Sequence, residues 1–221
     1  MRYLLLLFII IAASCKSGDK KSADTPAAPV TDTKPAGLAA YQQAFDGPLK
    51  AWASTFTGFN PANFTLDDTT DFGNTEPDEM GDINELVKIY KPLLYYSPDS
   101  SAFIDMYSAQ MGLQVINGQY YSEGDVDQAI YLCRPAKSSW KKLLFYGPSA
   151  GMEEAAWVND STFIMGGIFF NDDGKRVPIV AVGNEATQKI FHYSCKDTAC
   201  VQGEERYTAE RVRKLNIKEM E

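Results

Sequence analysis

From residue 89 to residue 193 the chain consists of short apolar runs separated by turn chemistry, and this constrains its fold more than any other feature. Ten segments carry the β-branched and aromatic enrichment of strands. They are Ile89 to Tyr96, Ala102 to Tyr107, Leu113 to Ile116, Gln119 to Tyr121, Ala129 to Cys133, Trp140 to Tyr146, Glu154 to Val158, Thr162 to Phe170, Val177 to Gly183 and Gln188 to Tyr193. Asn117-Gly118 suits a two-residue hairpin turn in which both residues take positive φ. Asn171-Asp172-Asp173-Gly174 reads as a longer hairpin loop, and Pro98-Asp99-Ser100 and Asn159-Asp160-Ser161 as further turns. Strands joined this way, with no helical stretch between them, predict a mostly β fold. The expected form is an antiparallel meander with blade-like sheets, arranged as a sandwich or a partial propeller. Short helices are expected outside it: Ala39 to Phe45 and Pro48 to Phe56, broken at Gly47-Pro48, and Thr208 to Leu215, capped by Thr208.

The first residues have another purpose. Arg2, an apolar run from Leu4 to Ala13, and the small residue Ser14 before Cys15 form a secretory signal, assigned to residues 1–14. The run is about 15 Å long as a helix, whereas a bilayer core needs about 30 Å. Residues 15–37 are rich in Lys, Ser, Ala, Thr, Asp and Pro and lack apolar bulk, which predicts a disordered tether with a reach of about 25–30 Å. Residues 38–221 form a single β-rich domain, long enough for a real core.

The stretch Ala12-Ala13-Ser14-Cys15 resembles the lipobox of bacterial lipoproteins, with Ala12 and Ser14 as variants at its two outer places. The resemblance implies lipidation of Cys15 and attachment to the membrane through that lipid, two or three acyl chains sufficing without a transmembrane helix. Lys16, in place of the retention signal Asp, favours the outer membrane. Farther on, Tyr96-Ser97-Pro98-Asp99-Ser100 with Ala102-Phe103-Ile104 resembles the strand-turn-strand repeat of TolB-type β-propellers. Trp157-Val158-Asn159-Asp160-Ser161 with Phe163-Ile164-Met165 is a looser second copy. Ten strands fall short of the roughly sixteen that even a four-bladed propeller needs, so a closed propeller is excluded.

Charge narrows the function. The whole chain carries −8, with 29 acidic and 21 basic residues. Setting aside Arg2 and the four lysines and three aspartates of the tether leaves the body about −10. Such a body is a poor partner for nucleic acid. Cys195 and Cys200 are the expected disulfide in an oxidising compartment, with Cys133 a buried thiol. Three cysteines and one histidine lack zinc spacing, and no cofactor is implied.

Three constellations could carry chemistry. Gly147-Pro148-Ser149-Ala150-Gly151 matches the nucleophile elbow, and Ser149, Asp172 and His192 follow the chain order of an α/β-hydrolase triad. Against this, an elbow must feed a helix, whereas Glu153 to Val158 reads as a strand and Pro148 as a turn residue. The acidic stretch Asp67 to Glu85, beginning with Asp67, Asp68 and Asp71, could hold Ca²⁺ but reads better as a solvated loop. Two carboxylates elsewhere could serve a glycan-active enzyme. Glu153 and Glu154 are adjacent, however, and on a regular strand they face opposite ways. Tyr120, Tyr121, Trp140 and Trp157 are candidate ligand-facing aromatics. The resulting expectation is a noncatalytic envelope lipoprotein that binds a protein or glycan, with a serine hydrolase and a glycan-binding or glycan-active protein as alternatives.

Overall fold

The computed structural model describes residues 36–74, 81–196 and 199–220. The signal, Cys15 and nearly all of the tether lie outside the described residues, as do Glu76, Asp78 and Glu79 of the acidic stretch. Among the described residues no helix is long and apolar enough to cross a membrane.

The chain begins with a 3₁₀ turn, Leu38–Tyr41, and two short helices, α1 (Gln42–Asp46) and α2 (Lys50–Ala53). Phe45, Leu49, Trp52, Ala53 and Phe56 recur every three or four residues and are all buried, so this segment presents one apolar face. The first strands are β1 (Phe64–Asp71) and β2 (Gly73–Asn74), followed by α3 (Ile83–Tyr90). Next come β3 (Tyr95–Tyr96), β4 (Phe103–Asp105), α4 (Ser108–Met111), β5 (Leu113–Ile116), β6 (Gln119–Ser122) and β7 (Gln128–Arg134). Then come β8 (Ser139–Tyr146), β9 (Ala150–Trp157), β10 (Thr162–Phe170), β11 (Arg176–Asn184) and β12 (Lys189–Cys195). The chain closes with α5 (Glu210–Leu215) and β13 (Lys218–Glu219).

These strands form two five-stranded antiparallel sheets, ordered β1-β12-β11-β10-β9 and β2-β8-β7-β4-β3, and a three-stranded ribbon, β13-β6-β5. The first sheet is the middle layer. Phe163, Met165, Ala181 and Ile190 on one of its faces share a core with Phe103, Ile130, Leu132 and Leu144 of the second sheet. Ile164, Val180, Val182 and Tyr193 on its other face pack against Leu49, Trp52 and Phe56 of the N-terminal helices. Alternation along β10 and β11 divides these residues between the two cores. The fold is therefore mostly β and sandwich-like, with the two N-terminal helices on one face of the middle sheet and α5 packed against the core between the sheets.

Two close approaches need glycine, one between the helices and the sheet and one between paired residues of β10 and β11. A Cβ on Gly166 would lie 2.7 Å from the Trp52 ring, and one on Gly183 would lie 2.0 Å from the Phe163 ring. The two turns resembling propeller repeats meet each other. Asp160 Oδ1 accepts from the Asp99 amide at 3.0 Å, and Trp157 Nε1 donates to the Tyr95 carbonyl at 2.8 Å.

Several expectations change. The acidic stretch does not begin as a loop: Asp67, Asp68 and Asp71 lie on β1, an edge strand paired with β12. Almost every β1 residue after Phe64 is exposed, so no alternating burial marks it in the sequence. Residues 89–96 are mostly not a strand, because α3 runs to Tyr90 and a 3₁₀ turn, Lys91–Leu93, follows. Helix α5 starts from Ala209 rather than from a Thr208 cap. Cys195 and Cys200 form no disulfide. Cys200 is fully buried in the core beneath the N-terminal helices, where it packs as a small apolar side chain.

Candidate functional site

The edge strand β9 builds the site. Gly166 pairs with Glu154 and Gly167 pairs with Met152, so Glu153 is an extra, unpaired residue in a β-bulge. A Cβ on Gly167 would come 2.1 Å from the Gly151 carbonyl oxygen, which is why glycine stands opposite the bulge. Met152 and Ala155 both face the core between the sheets. The two glutamates between them both turn to the helix-bearing face. Glu153 Oε2 accepts from Trp52 Nε1 at 3.0 Å, and Glu154 Oε2 accepts from the Tyr207 hydroxyl at 2.5 Å. The expectation that they face opposite ways is corrected here, because the bulge interrupts the alternation on which it rested.

The surroundings of the bulge are tied down from both sides. The Gln128 side chain behaves as a substitute strand: its Nε2 donates to the Met152 carbonyl at 2.9 Å and its Oε1 accepts from the Met152 amide at 2.8 Å. Tyr107 donates to the Glu153 carbonyl at 3.5 Å and lies 3.2 Å from the Tyr95 hydroxyl. The C-terminal arm crosses β11, where Arg176 Nη2 donates to the carbonyls of Gly203 and Glu204 at 2.6 and 2.8 Å. Helix α5 is then fastened by Arg211, whose guanidinium sits 3.5 Å from the Tyr95 ring centroid and donates to the Leu94 carbonyl at 3.0 Å.

Between these parts lies a cleft of about 470 Å³, within the usual size range of small-molecule sites. Its apolar walls include Met111, Ile168, Phe170 and Val212. Its charged lining is Glu153, Arg176 and Arg206. Burial pushes the Glu153 carboxyl up to about 7, outweighing the Trp52 and Gln202 hydrogen bonds and the two arginines, all of which favour the ionised form. Burial also raises the Tyr107 hydroxyl to about 12. The Tyr207 hydroxyl is raised further, first by burial and then by its bond to Glu154. The site thus offers two guanidinium forks, a carboxyl poised to hold a proton near neutral pH, and phenols that stay protonated.

The sequence-derived candidates are placed otherwise. Ser149 is exposed in the β8–β9 turn at the rim of the cleft, its carbonyl accepting from the Phe170 amide at 2.9 Å. His192 lies on β12, with Nε2 2.8 Å from Thr70 Oγ1, and burial holds its imidazole below the ordinary value. The His192 row crosses Ala181, Met165 and Ala155. Ser149 is therefore three strands across and some six residues along from His192, a separation on the order of 20 Å. Asp172 is exposed in the β10–β11 loop. No triad forms.

Asp67 pairs with Lys196 at 2.9 Å, Asp71 with Lys189 at 3.5 Å, and Asp68 accepts from the Thr69 amide. No cluster of three or more His, Cys, Asp or Glu suited to a metal occurs among the described residues. Charges along β1 do suit an exposed sheet edge, where they discourage pairing with another chain. Trp140 is buried edge-on to Tyr131, and half-buried Trp157 is edge-on to Phe163, so both belong to the core and not to a binding face. Tyr120 packs against the core as well, while Tyr121 sits between Gln114 and Lys218 in the ribbon. Sequence reasoning missed Arg176, Arg206, Tyr207 and Gln128. One signal was present: two successive glutamates inside an apolar strand run.

No family model, curated protein or solved structure matches the chain.

Proposed function

We propose that the chain is a lipid-anchored extracytoplasmic lipoprotein, held through Cys15 in the outer membrane, whose body is a noncatalytic binding module of the cell envelope. The lipobox-like signal and the polar tether support the anchoring. The cleft at β9 carries the binding function: it is roomy and partly apolar, and its lining has two guanidiniums to one carboxyl that burial raises to about 7, in a chain of net charge −8. The separation of Ser149 from His192 favours binding over hydrolysis by a serine nucleophile.

Two measurements test this. Radioactive palmitate labels the wild type and not Cys15→Ser, and label retained by Cys15→Ser refutes the anchor. Native mass spectrometry of protein isolated from its own envelope shows a noncovalent ligand that is lost in Ala150→Trp, which fills the cleft. A wild type with no bound mass refutes the binding module.

A glycan-active protein is the second reading, because Glu153 and Glu154 share one face and Glu153 holds a proton near neutral pH. Glycoside hydrolysis pairs such an acid with a second carboxylate, the role that Glu154, bonded to Tyr207, would take in this reading. Release of reducing ends from envelope glycan by the wild type, lost in both Glu153→Gln and Glu154→Gln, would establish it over the first reading.

A further inference from the structure

We infer that the β9 cleft is selective for a small amphiphilic carboxylate, its carboxylate held by Arg206 and Arg176 beside Glu153 and its apolar body laid against Ile168, Phe170 and Val212. This rests on the cleft being the ligand site proposed above and names the chemistry it accepts.

The argument starts from unspent donors. A guanidinium carries five N–H groups. Among the described residues Arg176 commits only Nη2, to the carbonyls of Gly203 and Glu204, which fixes its position and leaves the Nε and Nη1 donors. Arg206 lines the same cleft from the exposed arm and makes no hydrogen bond or ion pair with the described residues. The arginine edge matches the two oxygens of a carboxylate, and such charge-assisted pairs are about twice as strong as neutral ones. The third charged group settles the sign. An ionised Glu153 would cancel one arginine and repel an anion, whereas a protonated Glu153 adds a donor toward it.

Groups from every neighbouring element bear on that proton. Arg176 from β11 and Arg206 from the arm favour its loss. Tyr107, Tyr207 and Glu154 stand nearby, the two phenols protonated over the whole neutral range. Met111, Ile168, Phe170 and Val212 give the cleft an apolar wall beside the polar side chains of Gln110, Gln128 and Thr208, and that wall suits a hydrocarbon or aromatic body, which inorganic anions lack.

The test is calorimetric titration of the full chain, held in a lipid nanodisc, with 3-phenylpropionate, its uncharged amide, and benzyl phosphate. The expected result is that the carboxylate binds at least about tenfold more tightly than the amide. Arg206→Gln removes that advantage without weakening the amide. Raising the pH from 6 to 8 weakens the carboxylate several-fold in the wild type and not in Glu153→Gln. Thermal midpoints confirm that the variants are folded. Equal affinity for acid and amide, tighter binding of the phosphate, or an unaltered carboxylate affinity in Arg206→Gln overturns the inference. If acid and amide bind equally and both are lost in Ala150→Trp, the cleft remains the ligand site and only its selectivity is wrong. If all probes bind Ala150→Trp unchanged, the ligand site is elsewhere and both conclusions fall.

Discussion

Glu153→Gln tests the bulge and its electrostatics together. In the folded chain burial lifts the carboxyl from its ordinary 4.5 to about 7. Between these values the folded protein holds a proton that the unfolded chain releases. Stability therefore falls as pH rises through this window, and the full cost is present above pH 7. A shift of two to three pH units corresponds to about 3 kcal/mol at 1.36 kcal/mol per unit. Glutamine cannot ionise, and its carbonyl can still accept from Trp52 Nε1. Urea unfolding of both proteins from pH 5 to pH 8.5 should show the variant gaining on the wild type by about 3 kcal/mol, with half of the gain reached between pH 5.5 and 6.5. For a body of this size that is roughly 6–12 °C in thermal midpoint. Parallel stability curves would mean that Glu153 is solvated, that the bulge does not turn it under Trp52, and that the site is misassigned.

Other perturbations follow from named contacts. Gly166→Ala drives a methyl into the Trp52 ring and should cost about 1–3 kcal/mol in urea unfolding; an unchanged midpoint would show that Trp52 is not seated there. Gln128→Ala strips the Met152 amide and carbonyl of their partner and should cost about 2–4 kcal/mol, with faster hydrogen exchange at the Met152 amide. Alkylation of the chain, denatured without reductant, should modify Cys133, Cys195 and Cys200; a mass showing Cys195 joined to Cys200 would contradict the structure. The wild type should not react with a fluorophosphonate probe, since Ser149 has no base beside it, and labelling abolished by Ser149→Ala would reverse that view.

Turn chemistry made much of the fold legible. Asn117-Gly118 takes positive φ at both residues, as its hairpin requires, and the loop around Gly174 joins β10 to β11 in full register. The N-terminal helices could be read from the recurrence of Phe45, Leu49, Trp52 and Phe56. Strand β1 was hidden because an exposed edge strand needs no alternation; pairing with β12 alone defines it. The end of α3 is not legible in the sequence because a short apolar run such as Ile89 to Tyr96 does not reveal its period.

The sequence by itself determined the mostly β class of this protein. Its acidic balance and its strand-and-turn rhythm are local properties that neighbouring residues settle among themselves. The site was decided only in tertiary structure. Glu153 and Glu154 share a face because Gly166 and Gly167, a dozen residues away, admit a bulge. Arg176, Arg206 and Tyr207 reach them because β11 belongs to the same sheet and the C-terminal arm crosses it. The hydrogen bond that Glu153 accepts, which opposes the effect of its burial, likewise comes from Trp52, a hundred residues earlier in the chain. None of these distances is encoded in spacing along the chain, and each depends on layers that exist only once both cores have formed.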